Sequence, residues 1–444
     1  MRANLPAMKA ATTAKEMIDV DALRIGMFVH LDVGWMSHPF PLSSFKIASA
    51  DQVATIRSLG LQRVRWSPQQ SEMPGVPEAH VREFAASAAA PLLDLLPGQT
   101  LAPTVTADAE ALARAEHRRQ LAEQRAALAV CERQFAEAAH ECKEISEMVV
   151  LKPQQARANA EALSGALVSK MLGAEELCIR LLSDAAGDKA STHALNVAII
   201  SLLMARSFGL AEAEMIDLGV GSMLHDIGKL EVPDRLRHRE DHFTSAELRA
   251  YEEHVAHGVA IARRMGLSAG ATLVIAQHHE HADGSGFPLR INSDRMTAAA
   301  RIVSIVNRYD NLCNPNLAAK ALTPHESLSL LFAQGKTKFD TAILGAFIKM
   351  MGVYPPGSAV QLTDDRYALV VGVNSMRPLK PRVMVHEARV PRDEALVLDL
   401  ETVPGLGIRR SIRPQQLPPA SLEYLAPRPR VAYFFEPARD SEAD

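Results

Sequence analysis

The histidines of this 444-residue chain are concentrated in one stretch of helical pattern. Nine of the 16 histidines fall between residues 193 and 281, where an even spread would place about three. The first of them heads an apolar helical face that continues through Val197, Ile200 and Met204. Because a buried imidazole without a partner is costly, histidines on several successive helices favour a shared metal centre inside a helical bundle.

The composition is that of a folded globular protein. Hydrophobic residues make up 48% of the chain and charged residues 23%, which excludes a mainly disordered chain, a collagen-like fibre and a disulfide scaffold. A net charge of −4 gives no sign of a nucleic-acid polymer as partner. The four cysteines form no C-x-x-C pair, which indicates reduced thiols rather than a structural zinc site. With no signal sequence and no apolar run long enough for a membrane span, we expect a cytoplasmic protein.

Helical and strand patterns divide the chain into segments. We expect a mainly α fold, in which a helical bundle follows a small α+β module and a long helix and precedes a small β subdomain. The predicted segments are a disordered tail over 1–15, the α+β module over 16–66, a Pro-rich linker over 67–105, the long helix over 106–150, the helical domain over 151–351, the β subdomain over 352–436 and a tail over 437–444.

The long helix carries a heptad repeat. Apolar residues recur every seven positions at Leu121, Leu128, Phe135, Cys142 and Val149. Such a stripe forms either a coiled coil or a face that packs on the rest of its own chain. A homodimer through residues 106–150 and packing within the chain both remain open.

The strongest chemical motif is His225-Asp226, followed by Gly228-Lys229. Adjacent His and Asp side chains at a helix end can reach one metal ion, and the Asp can bridge to a second. Alone, the dipeptide also fits a simple helix-terminal charge pair. The remaining candidate ligands stand on neighbouring helical patterns and are His193, His254, His278 and His279.

This ligand set indicates a two-metal site. Imidazole and carboxylate ligands suit iron, manganese, zinc or nickel. Six ligands exceed the needs of one tetrahedral zinc ion. Two metal ions about 3.5–4 Å apart can hold a bridging hydroxide and polarise a phosphoryl group, which indicates a metal-dependent phosphohydrolase.

In order and spacing, the motifs resemble the HD-GYP family of HD-domain phosphodiesterases. The resemblance rests on His193, the run 225–229, His254, the run 278–280 and the Asp-Gly-Ser-Gly-Phe-Pro loop at 283–288, and it covers about residues 160–375. Residues 16–66 resemble the small module of unknown function that often precedes this domain in bacterial proteins. The family hydrolyses cyclic di-GMP to linear pGpG and on to GMP, with a binuclear or sometimes trinuclear iron or manganese centre. The resemblance therefore implies a cyclic di-GMP phosphodiesterase with two divalent ions, iron or manganese, and a cyclic dinucleotide as partner.

The resemblance also implies a role for each matching residue. Asp226 would bridge the metal ions and Lys229 would neutralise a phosphate oxygen, so these two are the catalytic candidates. The implied metal ligands are His193, His225, Asp226, His254, His278, His279 and Asn307. The implied substrate-binding residues are Lys229, Asp283, Gly284, Gly286, Phe287, Pro288 and Arg290, although a plain surface role is equally open for Arg290.

The sequence departs from the family pattern at three positions. Asn307 stands where an aspartate ligand is usual, which predicts that one metal is held less tightly. Asp310, one helical turn later, is either a substitute ligand or a structural residue. Lys189 stands where trinuclear members have a glutamate, which argues against a third metal. Phe287 replaces the tyrosine of the loop and keeps the ring without its hydroxyl.

Two other functions remain open at this stage. A degenerate HD-GYP module would bind cyclic di-GMP or a protein partner without turnover, and Asn307 favours it, whereas the near-complete set of other ligands argues against it. An HD-type phosphohydrolase acting on another nucleotide is the second, and the Gly-Phe-Pro loop argues against it. The family pattern gives no ligand role to His238, His242, His257 and His281.

Overall fold

The structure is a computed structural model, and it describes residues 16–31, 44–68, 71, 107–183, 187–238 and 242–438. The predicted tail at 1–15, nearly all of the predicted linker and residues 439–444 lie outside this part of the chain. By contact density the described residues form two compact units, one up to Ala122 and one from Glu123 onward.

The N-terminal module is a small antiparallel sheet with one helix. Its strands are arranged in the order β1-β4-β2-β3, and Val29, Ile47 and Ile56 form part of its buried core. Ser49 caps the helix by accepting a hydrogen bond from the Gln52 backbone N–H. The bounds are β1 Glu16–Asp19, β2 Phe28–His30, β3 Ser44–Lys46, α1 Ala50–Ser58 and β4 Arg63–Trp66. The sequence patterns over residues 27–31, 51–58 and 62–66 predict β2, α1 and β4, and they do not predict the two short edge strands β1 and β3.

The predicted long helix is α2, which runs over Ala107–Met148. Phe135, Cys142 and Val149 of its heptad stripe are buried in the hydrophobic core of their own chain. The Phe135 ring meets the Phe434 ring edge-on at 6.4 Å. For this part of the stripe, packing within the chain is the alternative that the structure shows.

The helices from α3 onward enclose one large core, which contains Tyr309, Phe347 and Phe434 among its fully buried side chains. Side-chain caps start several of them, as Asp188 does for α4 and Thr297 for α9. The bounds are α3 Pro153–Leu172, α4 Lys189–Ser207, α5 Glu212–Met223, α6 Ser245–Glu252, α7 His254–Met265, α8 Ala269–Gln277, α9 Ala298–Cys313, α10 Pro324–Lys338, α11 Thr341–Met351 and α12 Pro419–Leu425. A mainly α fold with small sheets at both ends is therefore confirmed.

The C-terminal sheet includes a strand that the helical pattern did not predict. Its path is β10-β6-β7-β5-β11, with β8 beside β7 and β9 beside β8, and all pairs are antiparallel. Residues 177–181 were assigned to the helical domain, yet they form β5 between β7 and β11. All five are buried, and so short an apolar run has no period that distinguishes a strand from a helix. The bounds are β5 Leu177–Leu181, β6 Ala359–Leu362, β7 Tyr367–Asn374, β8 Arg382–Val385, β9 Val397–Asp399, β10 Ile408–Ser411 and β11 Tyr433–Pro437.

No helix among the described residues has the length and apolar character that a bilayer crossing requires.

Candidate metal centre

Helix ends bring the predicted histidines together. His193 lies one turn inside α4, and His254 is the first residue of α7. His225 and Asp226 come one residue after the end of α5, while His278 and His279 directly follow α8. A residue at a helix end can turn its side chain towards a neighbouring helix, so four separate elements converge on one point.

The Asp226 carboxylate lies at that point, between two pairs of imidazole nitrogens. Its Oδ2 is 3.5 Å from Nε2 of His225 and 3.8 Å from Nε2 of His193. Its Oδ1 is 3.5 Å from Nε2 of His254 and 3.8 Å from Nε2 of His278. The ligand atoms fall into two groups that share this carboxylate, one with His193 and His225 and the other with His254, His278 and His279.

Hydrogen bonds fix the tautomers of these rings. The Nδ1 atoms of His225, His254 and His278 lie 2.7, 2.5 and 2.8 Å from the backbone carbonyl three residues earlier. A carbonyl oxygen only accepts, so each Nδ1 carries the proton and each Nε2 presents a lone pair. The carboxylate of Asp310 acts in the same way on His193, with its Oδ2 2.6 Å from Nδ1. Such partners orient the ligands of a metal ion.

The orientation leaves lone pairs facing each other, and a cation fits between them. The two Nε2 atoms of His193 and His225 are 3.2 Å apart, and those of His254 and His278 are 3.4 Å apart. Two imidazole nitrogens bound at about 2.1 Å to one cation would lie roughly this far apart. Asp226 Oδ1 and His279 Nε2 are also buried without a hydrogen-bond partner among the described residues. The donor set therefore fits two divalent cations.

Protonation states agree with metal binding. Burial lowers the pKa of His254 to about 4 and holds the pKa values of His278 and His279 well below the ordinary value, so the rings are neutral at pH 7. Burial alone would raise the pKa of Asp226, but Lys229 and the nearby imidazoles hold it well below its usual range. Metal ions require these deprotonated forms.

Lys229 contacts the same carboxylate. Its Nζ donates to Asp226 Oδ2 at 2.6 Å. Burial would lower the pKa of Lys229, yet the charge of Asp226 raises it, so the ammonium stays charged. With three donors on the ammonium and one used, Lys229 can still donate to an anion in the adjacent cavity.

Gly228 permits the close approach of two elements at the site. It lies in a 3-10 turn over Ile227–Glu231, and a Cβ atom at this position would come within 1.9 Å of the His254 carbonyl oxygen and 2.3 Å of the Gly258 nitrogen. Only glycine allows this turn to lie directly against α7. The turn thereby keeps the His225-Asp226 pair next to His254.

Sequence reasoning missed the role of Glu280. This carboxylate is fully buried and accepts hydrogen bonds from the backbone N–H groups of Leu289, Arg290 and Ile291 at 2.6–3.1 Å. It fastens the end of the predicted substrate loop to the His278-His279 run. The visible signal was the acidic residue directly after the two histidines, but its partners are backbone groups that no motif marks.

The predicted substrate loop contacts the site mainly through Phe287. Its ring stacks on the His279 ring with 4.4 Å between centroids. A Cβ atom on Gly286 would lie 2.5 Å from the backbone of residues 279–281, so this glycine lets the loop pack on the histidine run. None of the predicted loop residues lines the cavity that the described residues form beside Lys229, and this holds for Phe287 and Gly286 as well as for Asp283, Gly284, Pro288 and Arg290.

Asp310 and Asn307, the two candidate residues on α9, have different contacts. Asp310 accepts from Asn196 and Asn314, each at 2.8 Å, in addition to its contact with His193. Its oxygens are thus used to support His193 and are in neither ligand group. Asn307 is buried, and its side-chain oxygen accepts from Asn311 at 2.6 Å.

A cavity of about 520 Å³ opens beside Asp226 and His193. Basic side chains line it, and the sequence had predicted only Lys229 among them. The others are Lys189, Arg237, His238 and Arg430.

Two known protein families match this chain, each over a different range of residues. The family described as "HD domain" matches residues 174–343. The family described as "Domain of unknown function (DUF3391)" matches residues 15–160. The first range contains every predicted ligand, and the second covers the N-terminal module and the long helix.

Similar proteins are named as phosphodiesterases of cyclic dinucleotides. A Pseudomonas aeruginosa protein named cyclic di-GMP phosphodiesterase is 26% identical over 86% of this chain and 88% of its own length. A Vibrio cholerae protein named 3'3'-cGAMP-specific phosphodiesterase 2 is 34% identical, but over 36% of this chain and 31% of its own length.

A solved structure described as an HDG"Y"P protein from Bdellovibrio bacteriovorus has a TM-score of 0.39 at 13% identity, over 74% of this chain and 97% of that one.

The two family matches confirm the resemblance that the motifs indicated. The chain is thus a member of the HD-domain proteins, with a DUF3391 domain ahead of its HD domain.

Proposed function

We propose that this protein is a metal-dependent phosphodiesterase of the HD-GYP type that hydrolyses cyclic di-GMP to linear pGpG or GMP. The observation that carries the proposal is the Asp226 carboxylate between two imidazole pairs at the wall of a basic cavity. The names of the similar proteins support a cyclic dinucleotide as substrate.

Two ions of iron or manganese would be held in adjacent sites. His193, His225 and Asp226 are the ligands proposed for one, and Asp226, His254, His278 and His279 for the other. Such ions supply positive charge on the phosphoryl group and an activated water for attack on phosphorus.

The protein's own groups complete the reaction. The Asp226 carboxylate would serve as a ligand in both sites. The Lys229 ammonium at the cavity wall donates to a phosphate oxygen, where charge grows as the bond to phosphorus forms. Phe287 stacks on His279 and shields that side of the centre from water.

The test is purification without oxygen, followed by metal analysis and an assay of cyclic di-GMP hydrolysis with Fe²⁺ and with Mn²⁺. We expect close to two metal ions per chain and hydrolysis to pGpG or GMP. The Asp226→Ala variant, which loses the shared ligand, is the control and should lose both metal and activity. A metal content that stays near zero in the wild type under both supplements contradicts the proposal.

A degenerate module that binds cyclic di-GMP without turnover is the second candidate, and the engaged amide of Asn307 favours it. Asn307→Asp separates the two, because a carboxylate binds a divalent cation more tightly than an amide does. Turnover that appears only in the variant supports the degenerate module, whereas wild-type turnover with a lower metal requirement in the variant supports the enzyme. If neither metal affinity nor rate changes, Asn307 is not a ligand.

We also propose a cytoplasmic location, because all four cysteines are buried free thiols. Homodimerisation through the long helix stays a prediction. The part of the heptad stripe before residue 128 is the part that could form such an interface.

A further inference from the structure

The cavity beside the metal centre is lined by more basic side chains than one phosphodiester group needs. Lys229 lies at its inner end, in contact with Asp226. Arg237 is paired with Asp234 at 2.8 Å. Two further basic residues, Lys189 and Arg430, line the cavity from separate parts of the chain.

The acidic residues of the cavity wall are engaged elsewhere. Asp188 caps α4, where it accepts from the backbone N–H groups of Ala190 and Ser191 and from the Ser191 hydroxyl. Asp310 supports His193, and Asp226 belongs to the metal centre. Each of these carboxylates therefore already has a partner before a ligand enters.

The hydrogen-bond partner of the Lys189 ammonium is a neutral side chain. Its Nζ donates to the side-chain oxygen of Asn316 at 2.5 Å, and no carboxylate in the described ranges forms an ion pair with it. Burial lowers the pKa of Lys189, and the positive charges of Arg430 and Lys229 lower it further. A lysine that lines a cavity together with other cations, and that has no ion-pair partner in the described ranges, is available to bind an anion there.

The backbone next to Arg430 is fixed to the same network that supports His193. The Val431 N–H donates to Asn314 at 2.8 Å, and the Val431 carbonyl accepts from Asn196 at 3.0 Å and from Asn314 at 2.9 Å. Asn196 and Asn314 also donate to Asp310. Arg430 thus leaves a rigid backbone at the cavity wall, and the structure shows no ion pair for it within the described ranges.

We propose that Lys189 and Arg430 bind the second phosphate of a cyclic dinucleotide while its first phosphate lies at the metal centre. The inference rests on the proposed function and adds the residues that select a ligand with two phosphates. A cyclic dinucleotide places its phosphodiesters on opposite sides of one ring, so each needs its own cations. Lys229 serves the phosphate that is cleaved, and Lys189 and Arg430 serve the phosphate that is not.

The test compares substrates with two phosphates and with one. Lys189→Met, Arg430→Met and the double variant are assayed with cyclic di-GMP and with bis(p-nitrophenyl) phosphate, which has a single phosphodiester. Because a hydrogen bond between charged groups is lost, KM for cyclic di-GMP should rise about tenfold per substitution. The kcat value, the metal content and the hydrolysis of bis(p-nitrophenyl) phosphate should stay unchanged. Lys349→Met, which removes an exposed lysine on α11, is the matched control.

A binding measurement separates this inference from the proposed function. The dissociation constant of a bisphosphorothioate analogue of cyclic di-GMP is measured for the same variants and should weaken in parallel with KM. If the wild type binds the analogue but cleaves neither substrate, the proposed function fails and the analogue's dissociation constants alone decide the inference. The inference is wrong if the variants lose activity equally on both substrates, if they lose metal, or if the dissociation constant of the analogue does not change. A wild type that does not bind the analogue contradicts both the inference and the proposed function.

Discussion

At the scale of single residues, Asp226 and Lys229 share one short contact but have separable tasks. The carboxylate is a candidate ligand in both groups, whereas the ammonium is in neither. We predict that Lys229→Met keeps the metal ions and slows hydrolysis by about 10²–10³-fold, the usual cost of one lost charge-stabilising donor. Metal analysis and kcat measured on the same preparation check this, with Lys349→Met as the charge control. An unchanged kcat would place Lys229 outside the reaction.

Asp310 offers a second test at this scale. Its carboxylate holds the Nδ1 proton of His193 and so directs Nε2 towards the metal site. The Asp310→Asn variant keeps the shape and loses the charge, so we predict a metal dissociation constant about 10–100 times larger. Titration of the metal-free protein with Mn²⁺ measures it. An affinity equal to that of the wild type would mean that α4 packing alone orients His193.

At the scale of elements, the turn after α5 and the start of α7 lie in direct backbone contact. Ala at position 228 would collide with the His254 carbonyl, so we predict that Gly228→Ala separates the two elements, destabilises the fold by about 1–3 kcal/mol and lowers metal content. Gly345→Ala is the matched control, because nothing lies within 4 Å of that position on α11. There the substitution should stabilise the helix by roughly 0.5–1 kcal/mol. Urea denaturation of both variants checks the contrast, and equal stabilities would contradict it.

At the scale of the whole molecule, the neutral histidines make stability depend on pH. An unfolded chain protonates histidine below about pH 6.5, whereas His254 in the folded, metal-free protein stays neutral down to about pH 4. The unfolded state then binds more protons, so the free energy of unfolding should fall as the pH is lowered from 6.5 towards 4. The depressed pKa of Asp226 acts in the same direction at still lower pH.

Urea denaturation at pH 8 and pH 5 in the presence of a chelator measures this dependence. The His254→Gln variant should show a shallower slope, because it removes one of the groups that titrate differently in the two states. A wild type as stable at pH 5 as at pH 8 would contradict the buried, neutral state of these rings.

The sequence predicted the ligand groups because each histidine lies in a short local motif at a helix end. It did not predict the support of those ligands, since Asp310 meets His193 only through a tertiary contact, and so does Val431 with Asn314. Arg430 was not predicted either, because it lies outside the matched HD domain and reaches the cavity only in the folded chain. The strand β5 was missed because its five buried residues carry no periodicity.

The contact between Asn196 and Val431 spans 235 residues of chain, which has a consequence during synthesis. A growing chain that has left the ribosome only as far as α9 already contains every proposed ligand, yet His193 still lacks part of its support. Released chains that end after residue 313 and after residue 438 should therefore differ in the ⁵⁵Fe or ⁵⁴Mn that they retain on gel filtration, and equal retention would contradict this order. We therefore predict that metal loading comes at the end of biosynthesis, and that a chain cut short within β11 competes poorly for divalent metal ions.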